Sequence, residues 1–337
     1  MMRTVTVLGA GSWGTALAVH LARVGHDVRL WARDPGLVAD IAVRRANAVY
    51  LPGIHLPENV SVTHAIDEAV QDADLVVSAV PSHGCRGVMH TAAPLLAPRA
   101  VIVSAAKGLE AGSMLRMSEV VAQEAGASHP VVVLSGPSFA IEVARQLPTA
   151  ILAASASPEA IALVQEEFRG PYFRLYGSDD VVGVEIGAAT KNIIAIAAGV
   201  VQGLGLGHNA LAALITRGLA ELTRLACAAG GRRETLAGLS GLGDLVLTCT
   251  GSLSRNRHVG VELARGRALA DVLAGMKMVA EGVLTTGAAL ELGVKYGVEL
   301  PIATQMAAVL DGRADVQTAL DALMLRTQRA EPETSWR

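Results

Sequence analysis

Lys191 and Asn192 stand together inside the stretch 178–207, SDDVVGVEIGAATKNIIAIAAGVVQGLGLG, which is apolar on nearly every side. A helix that is hydrophobic all round is buried, and an ammonium held there can give up or take a proton. Gly187, Ala188 and Ala195 lie three or four residues away, on the face of Lys191. All three are small, which leaves space where something other than protein could fit. On that stretch alone, a lysine that pairs within the core or snorkels to an edge is the simpler reading. Other residues widen the choice. Lys107-Gly108 and Ser135-Gly136-Pro137-Ser138 follow apolar runs, and Asp244 sits in the glycine-rich run Gly238–Leu245. Ser254-Arg255-Asn256 stands at a helix start, where backbone N–H groups and a guanidinium fork together make an anion site. An N-capped surface helix with ordinary charges would also explain that cluster.

Near the N-terminus, Gly9-Ala10-Gly11-Ser12-Trp13-Gly14 follows the strand pattern Thr4–Leu8 and opens the helical pattern Thr15–Val24. A second strand, Asp27–Trp31, closes the unit. In that setting the three glycines are a dinucleotide fingerprint. Gly9 allows the turn, Gly11 lets backbone approach a pyrophosphate, and Gly14 lets helix pack on strand. After the second strand come Arg33 and Asp34. An arginine there accommodates the 2′-phosphate of NADP, and an acid bonds the ribose of NAD. Arg33 points to NADPH, while Asp34 keeps NADH open.

The bulk properties are those of two globular domains. The chain has 337 residues, 51% apolar and 18% charged, with a net charge of −3 and no basic block, which excludes nucleic-acid binding. Three widely spaced cysteines give neither a disulfide framework nor a metal set, so the expectation is a reducing, cytoplasmic setting with no metal. No signal peptide is expected ahead of the first strand. The uncharged run 192–216 is long enough to suggest a membrane span, but its glycines, Gln202, His208 and Asn209 split it, so no membrane insertion is expected. Of 28 basic residues only four are lysine, which hints at a role for those retained.

Strand and helix patterns alternate to Tyr176 and imply an α/β class fold with an open, doubly wound Rossmann-type sheet. The turns 81–83, 107–108 and 135–138 then share the edge at the carboxyl ends of the strands, where ligands bind. From Ser178, read as an N-cap with Asp179 and Asp180 in the first turn, the pattern becomes helical. The expected division is a dinucleotide-binding domain over 1–178, a mainly α-helical catalytic domain over 179–327, and a loose tail over 328–337. Apolar helices in the second half could supply a homodimer interface, though nothing marks one.

Across this frame GAGSWGTALA (9–18), SAAKGLE (104–110), LSGPSFAIEV (134–143), GVEIGAATKNIIAIAAG (183–199), ALITRGLAE (213–221), GLSGLGDLVLTCTGSLSRNR (238–257) and VAEGVLTT (279–286) resemble the bacterial NAD(P)-dependent glycerol-3-phosphate dehydrogenases. The match runs in order to about residue 325. The resemblance implies reduction of dihydroxyacetone phosphate to sn-glycerol 3-phosphate with NADPH or NADH, supplying phospholipid synthesis. Lys191 would be the acid/base, and Lys107, Gly136, Ser138 and Asp244 would line the substrate. Ser254, Arg255 and Asn256 would hold its phosphate. Ser12, Trp13, Arg33, Tyr50, Lys107, Ala140, Arg255, Val279 and Glu281 would touch the cofactor. As hydride reaches C2, negative charge grows on its oxygen, and an ammonium can stabilise that charge and donate the proton. Cationic neighbours and burial would ease proton release from Lys191, and pairing with Asp244 would oppose it. A related two-domain β-hydroxyacid dehydrogenase would share the fingerprint and the lysine without needing residues 254–256. A non-catalytic NADPH sensor would have no reason to bury Lys191.

Overall fold

The structure is a computed structural model that describes residues 2–328, 330 and 331. The tail expected over 328–337 falls, apart from Gln328, Ala330 and Glu331, outside the described residues. By its internal contacts the chain separates into two compact units. One comprises the residues up to Lys107 together with Leu115–Val181. The other comprises Gly108–Met114 and the residues from Val182 onward.

The first unit carries strands β1 (Thr4–Leu8), β2 (Asp27–Trp31), β3 (Val60–Thr63), β4 (Leu75–Ser78), β5 (Val101–Ser104), β6 (Val131–Ser135), β7 (Thr149–Ala154) and β8 (Phe173–Ser178). Its helices are α1 (Ser12–Arg23), α2 (Pro35–Arg44), α3 (Ile66–Val70), α4 (Ser82–Ala92), α5 (Met117–Ala125), α6 (Ala140–Ala144) and α7 (Pro158–Glu167). The strands form one sheet in the order β3-β2-β1-β4-β5-β6-β7-β8. All pairings are parallel except β6 with β7. Strands β1, β4, β5 and β6 are β-branched runs because both faces are covered. Val5, Val7, Leu30, Val77 and Val103 pack on one side with α1, and Leu8, Val76 and Ile102 pack on the other with α4 and α5. Chain order reverses between β1 and β4, so this is the switch point at which such sheets bind ligands.

The second unit is helical: α8 (Val181–Gly203), α9 (Gly207–Ala228), α10 (Arg233–Ala237), α11 (Asp244–Thr250), α12 (Arg255–Ala264), α13 (Leu269–Ala274), α14 (Glu281–Tyr296), α15 (Pro301–Leu310) and α16 (Val316–Met324). Helix α8 is its axis, buried from Gly183 to Val200. It is long and apolar enough to cross a membrane by length and composition, but 89% of its apolar window is packed inside the fold. Leu109 packs in the same core, which is why Gly108–Met114 belongs to this unit. Helix α5 begins after this segment, at Met117.

Two details differ from the sequence reading at the head of α8. Ser178 closes β8 and does not cap a helix; its Oγ accepts the Asp180 N–H at 3.2 Å. Asp179 and Asp180 therefore precede α8, whose first turn carries no acid. The hydroxyl serves the turn out of the sheet, a local bond that competes with capping.

Candidate active site

In the first unit, Gly9 stands at the sheet's switch point with φ +110°. A Cβ there would lie 2.9 Å from the carbonyl oxygen of Ala79, the residue just beyond β4. At Gly14 a Cβ would overlap the Gly9 carbonyl, so α1 can approach β1 only without a side chain. Gly11 has open space around its missing Cβ and is the N-cap of α1, with no side chain bonded to the helix end. A helix N-terminus with open space before it is a pyrophosphate seat. The indole Nε1 of Trp13 in the same turn is a buried donor without a partner. These features fit a bound dinucleotide. Arg33 is exposed beyond β2. Asp34 is engaged elsewhere: its carboxylate accepts the Gly36 N–H at 2.8 Å and caps α2. Tyr50 and Ala140 are half-buried.

The unit also brings Lys107, Gly136 and Ser138 together. Lys107 Nζ donates to the Gly136 carbonyl at 2.9 Å, and Ser138 Oγ donates to the same oxygen at 3.2 Å. Gly136 has φ +141°, and a Cβ there would lie 2.9 Å from the Ile151 backbone. Only glycine holds the turn after β6 in this shape.

In the second unit, Lys191 and Asp244 are 5% and 1% exposed and form an ion pair through Nζ and Oδ1. Lys191 Nζ also donates to Thr248 Oγ1 at 2.7 Å, and that hydroxyl donates on to the Asp244 carbonyl at 2.6 Å. Asp244 is not on an open turn, as its glycine-rich surroundings suggest. It begins α11, directly after one turn of π-helix over Leu239–Gly243. Such turns are frequent at functional sites. Thr248, one turn on along α11, was not singled out in the sequence; its spacing of four from Asp244 is the signal that could have found it. The neighbouring thiol of Cys249 is pushed up to about 12, chiefly by burial, and stays protonated.

The small residues beside Lys191 serve packing. A Cβ on Gly187 would lie 2.9 Å from Leu236 Cδ1 and 3.4 Å from the Ser240 carbonyl oxygen, and Ala188 and Ala195 are buried. At Gly187 the space read from sequence is taken by Leu236 of α10 and by the π-turn.

Glycine also sets the approach of α12. A Cβ on Gly199 would overlap the Arg257 carbonyl, and one on Gly260 would overlap the Ile196 carbonyl. Helices α8 and α12 therefore touch backbone to backbone. This contact carries the start of α12 to Asn192. Ser254 caps α12 by accepting the Arg257 N–H at 3.2 Å. Asn256 Nδ2 donates to Asn192 Oδ1 at 3.0 Å, and its Oδ1 accepts the Gly282 N–H at 2.9 Å. Arg255 is exposed and interacts electrostatically with Glu281, the first residue of α14. Val279 is half-buried just before that helix. Among the described residues no group of three or more His, Cys, Asp or Glu could hold a metal ion.

Residues 4–161 match the family model for the NAD-dependent glycerol-3-phosphate dehydrogenase N-terminus, and residues 180–321 match the model for its C-terminus. Glycerol-3-phosphate dehydrogenase [NAD(P)+] of Koribacter versatilis is 54% identical over 275 residues, 81% of this chain and 82% of that protein. The enzyme of the same name from Geobacter sulfurreducens is 53% identical over the same shares. The crystal structure of glycerol-3-phosphate dehydrogenase from Coxiella burnetii superposes with a TM-score of 0.93 at 41% identity, covering 96% of this chain and 99% of that one. Sequence and fold agree with the glycine turn and the lysine helix: the chain belongs to the NAD-dependent glycerol-3-phosphate dehydrogenase family.

Proposed function

We propose that the protein reduces dihydroxyacetone phosphate to sn-glycerol 3-phosphate, reversibly, and so supplies phospholipid synthesis. The observation that carries this reading is the buried Lys191–Asp244–Thr248 cluster on α8 and α11, one residue from the Asn192–Asn256 bond that holds the start of α12. A bound nicotinamide supplies the hydride. The chain's part is to seat the pyrophosphate at Gly9–Gly14, to hold an anion at Ser254–Asn256, and to manage the proton at Lys191 Nζ. The Asp244 carboxylate keeps that ammonium charged and aimed, so it can face the growing charge on the C2 oxygen without reorganising. Proton transfer to that oxygen leaves a neutral amine beside Asp244, which is reprotonated before the next turnover.

Lys107, Gly136 and Ser138 would bind the rest of the substrate. The assignment of Trp13, Arg33, Tyr50, Ala140, Val279 and Glu281 to the cofactor belongs to the same proposal. So does the division into a dinucleotide half, 1–178, and a substrate half, 179–327, which the break between the two family models supports. Preference for NADPH is supported by the exposed Arg33; Asp34 caps α2 through one carboxylate oxygen, and its other oxygen keeps NADH open. A cytoplasmic enzyme acting without metal is consistent with three unbridged cysteines. Assembly as a homodimer is read by sedimentation.

The test is consumption of NADPH and NADH, side by side, with dihydroxyacetone phosphate. Lys191→Ala in a folded protein should lower kcat by ~10²–10⁴-fold. Near-normal turnover would sink the assignment. Turnover of a β-hydroxy acid in place of the phosphate would favour the related dehydrogenase.

A further inference from the structure

Asn47 lies outside the glycine-rich turn in sequence and is fully buried, at 0% exposure. Its side chain joins three separate parts of the first unit. Nδ2 donates to the Ala10 carbonyl at 2.8 Å and to Thr15 Oγ1 at 2.9 Å. Oδ1 accepts the Tyr50 N–H at 3.0 Å. The amide's orientation is forced from both sides, because Ala10 O can only accept and the Tyr50 N–H can only donate. Its backbone carbonyl also accepts the Leu51 N–H at 2.9 Å, so the loop that bears Tyr50 folds back onto this one residue.

The bond to Ala10 bears on the ligand side of the turn. A trans peptide places its C=O and N–H on opposite sides. Holding the Ala10 carbonyl toward the buried amide therefore turns the Gly11 N–H the other way. Gly11 is the residue with open space about it at the head of α1. Thr15 adds the first turn of α1 to the same clamp.

We propose that Asn47 is a positioning residue of the dinucleotide cradle: it fixes the Ala10–Gly11 peptide, the first turn of α1 and the Tyr50 loop in the binding arrangement, and so sets affinity for the cofactor. Without it those parts must be ordered by the cofactor itself, and the cost appears as weaker binding.

The test is direct titration of NADPH by its fluorescence, with no substrate present. Asn47→Ala should raise Kd about 10-fold or more, the effect of losing buried hydrogen bonds. Asn47→Asp keeps the size and the Tyr50 acceptor but turns an acceptor onto Ala10 O, and should weaken binding by a similar factor. At saturating NADPH both variants should keep kcat within about twofold, with the loss in the cofactor KM. Asn59→Ala is the control, because Asn59 bonds the Ala22 and His26 carbonyls at 2.8 and 2.7 Å, at the other end of α1 and just past it. It should lower thermal stability and leave Kd unchanged. In the unliganded protein, amide exchange at Gly11 and Tyr50 should rise in Asn47→Ala and not in Asn59→Ala. Wild-type affinity in Asn47→Ala overturns the proposal. If that variant does not fold, wild-type affinity in Asn47→Asp overturns it equally. An equal loss in Asn59→Ala also overturns it, since general loosening would then suffice. Failure of the unmodified protein to bind either nicotinamide would instead refute the reading of the glycine turn as a cofactor seat.

Discussion

Replacing Asp244 by alanine removes the carboxylate from an ammonium that is 5% exposed, in a core formed by α8 and α11. The intact pair is weak grounds for stability, because two charges were taken out of water to make it. Breaking it is different. One uncompensated buried charge costs about 3–5 kcal/mol. For a unit of roughly 150 residues, each kcal/mol moves Tm by about 2–4 °C, so Asp244→Ala should lower Tm by ~6–20 °C. Removing both charges should return most of that loss, because an apolar pair of similar volume is neutral or stabilising at such sites. Urea denaturation followed by far-UV circular dichroism measures the parent, Asp244→Ala, Lys191→Met and the double variant Lys191→Met/Asp244→Leu. The expected order places the double variant above Asp244→Ala by at least about 2 kcal/mol, with kcat lowered by ~10²-fold or more in the two variants that lose Lys191. Two results would refute the reasoning: an Asp244→Ala protein within about 0.5 kcal/mol of the parent, or a double variant whose loss equals the sum of the two single losses.

The other predictions concern packing, pH and the cofactor. Gly260→Ala sets a methyl against the Ile196 backbone. It should cost about 1–3 kcal/mol and raise KM for dihydroxyacetone phosphate more than for NADPH, and equal rises would count against the α8–α12 contact as the element that seats residues 254–256. Glu221 on α9 is 2% exposed and accepts the N–H groups of Ile302 and Ala303, both at 2.9 Å. Burial raises its carboxyl from 4.5 to about 7, against the pull of those N–H groups. A raised folded pKa means the folded state holds the proton more tightly. Its contribution is therefore greatest below pH 4.5 and is lost as pH rises through about 7, by about 3 kcal/mol. Urea midpoints at pH 5.5 and 8 should show this slope in the parent and not in Glu221→Gln; parallel slopes would dismiss it. Arg33→Ala should raise KM for NADPH several-fold more than KM for NADH, and an equal loss with both would argue against a 2′-phosphate contact.

What could be read in the sequence was what local pattern encodes. The glycine turn, the alternating strands and helix α8 each announce themselves through spacing, and the structure holds all three. The contacts that give Lys191 its setting are not local. Asp244 and Thr248 lie 53 and 57 residues away in the chain, and only folding brings them to the ammonium. Helix α11 was missed because DLVLTCT is short and β-branched, and the π-turn before it has no sequence signature of its own. Gly187 shows the opposite case. A small residue near a lysine suggested room for a ligand, and Leu236 and Ser240 take that space. Asn47 looked like any loop asparagine, since its bonds to Ala10 and Thr15, 37 and 32 residues away, leave no trace in spacing.

The chain of amides from Gly282 through Asn256 to Asn192 has a direction. A backbone N–H can only give a proton, so Gly282 obliges Asn256 to turn its oxygen inward and its NH2 outward. That NH2 in turn obliges Asn192 to present its own oxygen, which sends the Asn192 NH2 the other way. The polarity of a side chain next to Lys191 is thus decided by one peptide group ninety positions downstream. Asn256→Asp would not merely add charge. It would set acceptor against acceptor at Asn192 and oblige that amide to turn over, while the Gly282 N–H went on donating as before.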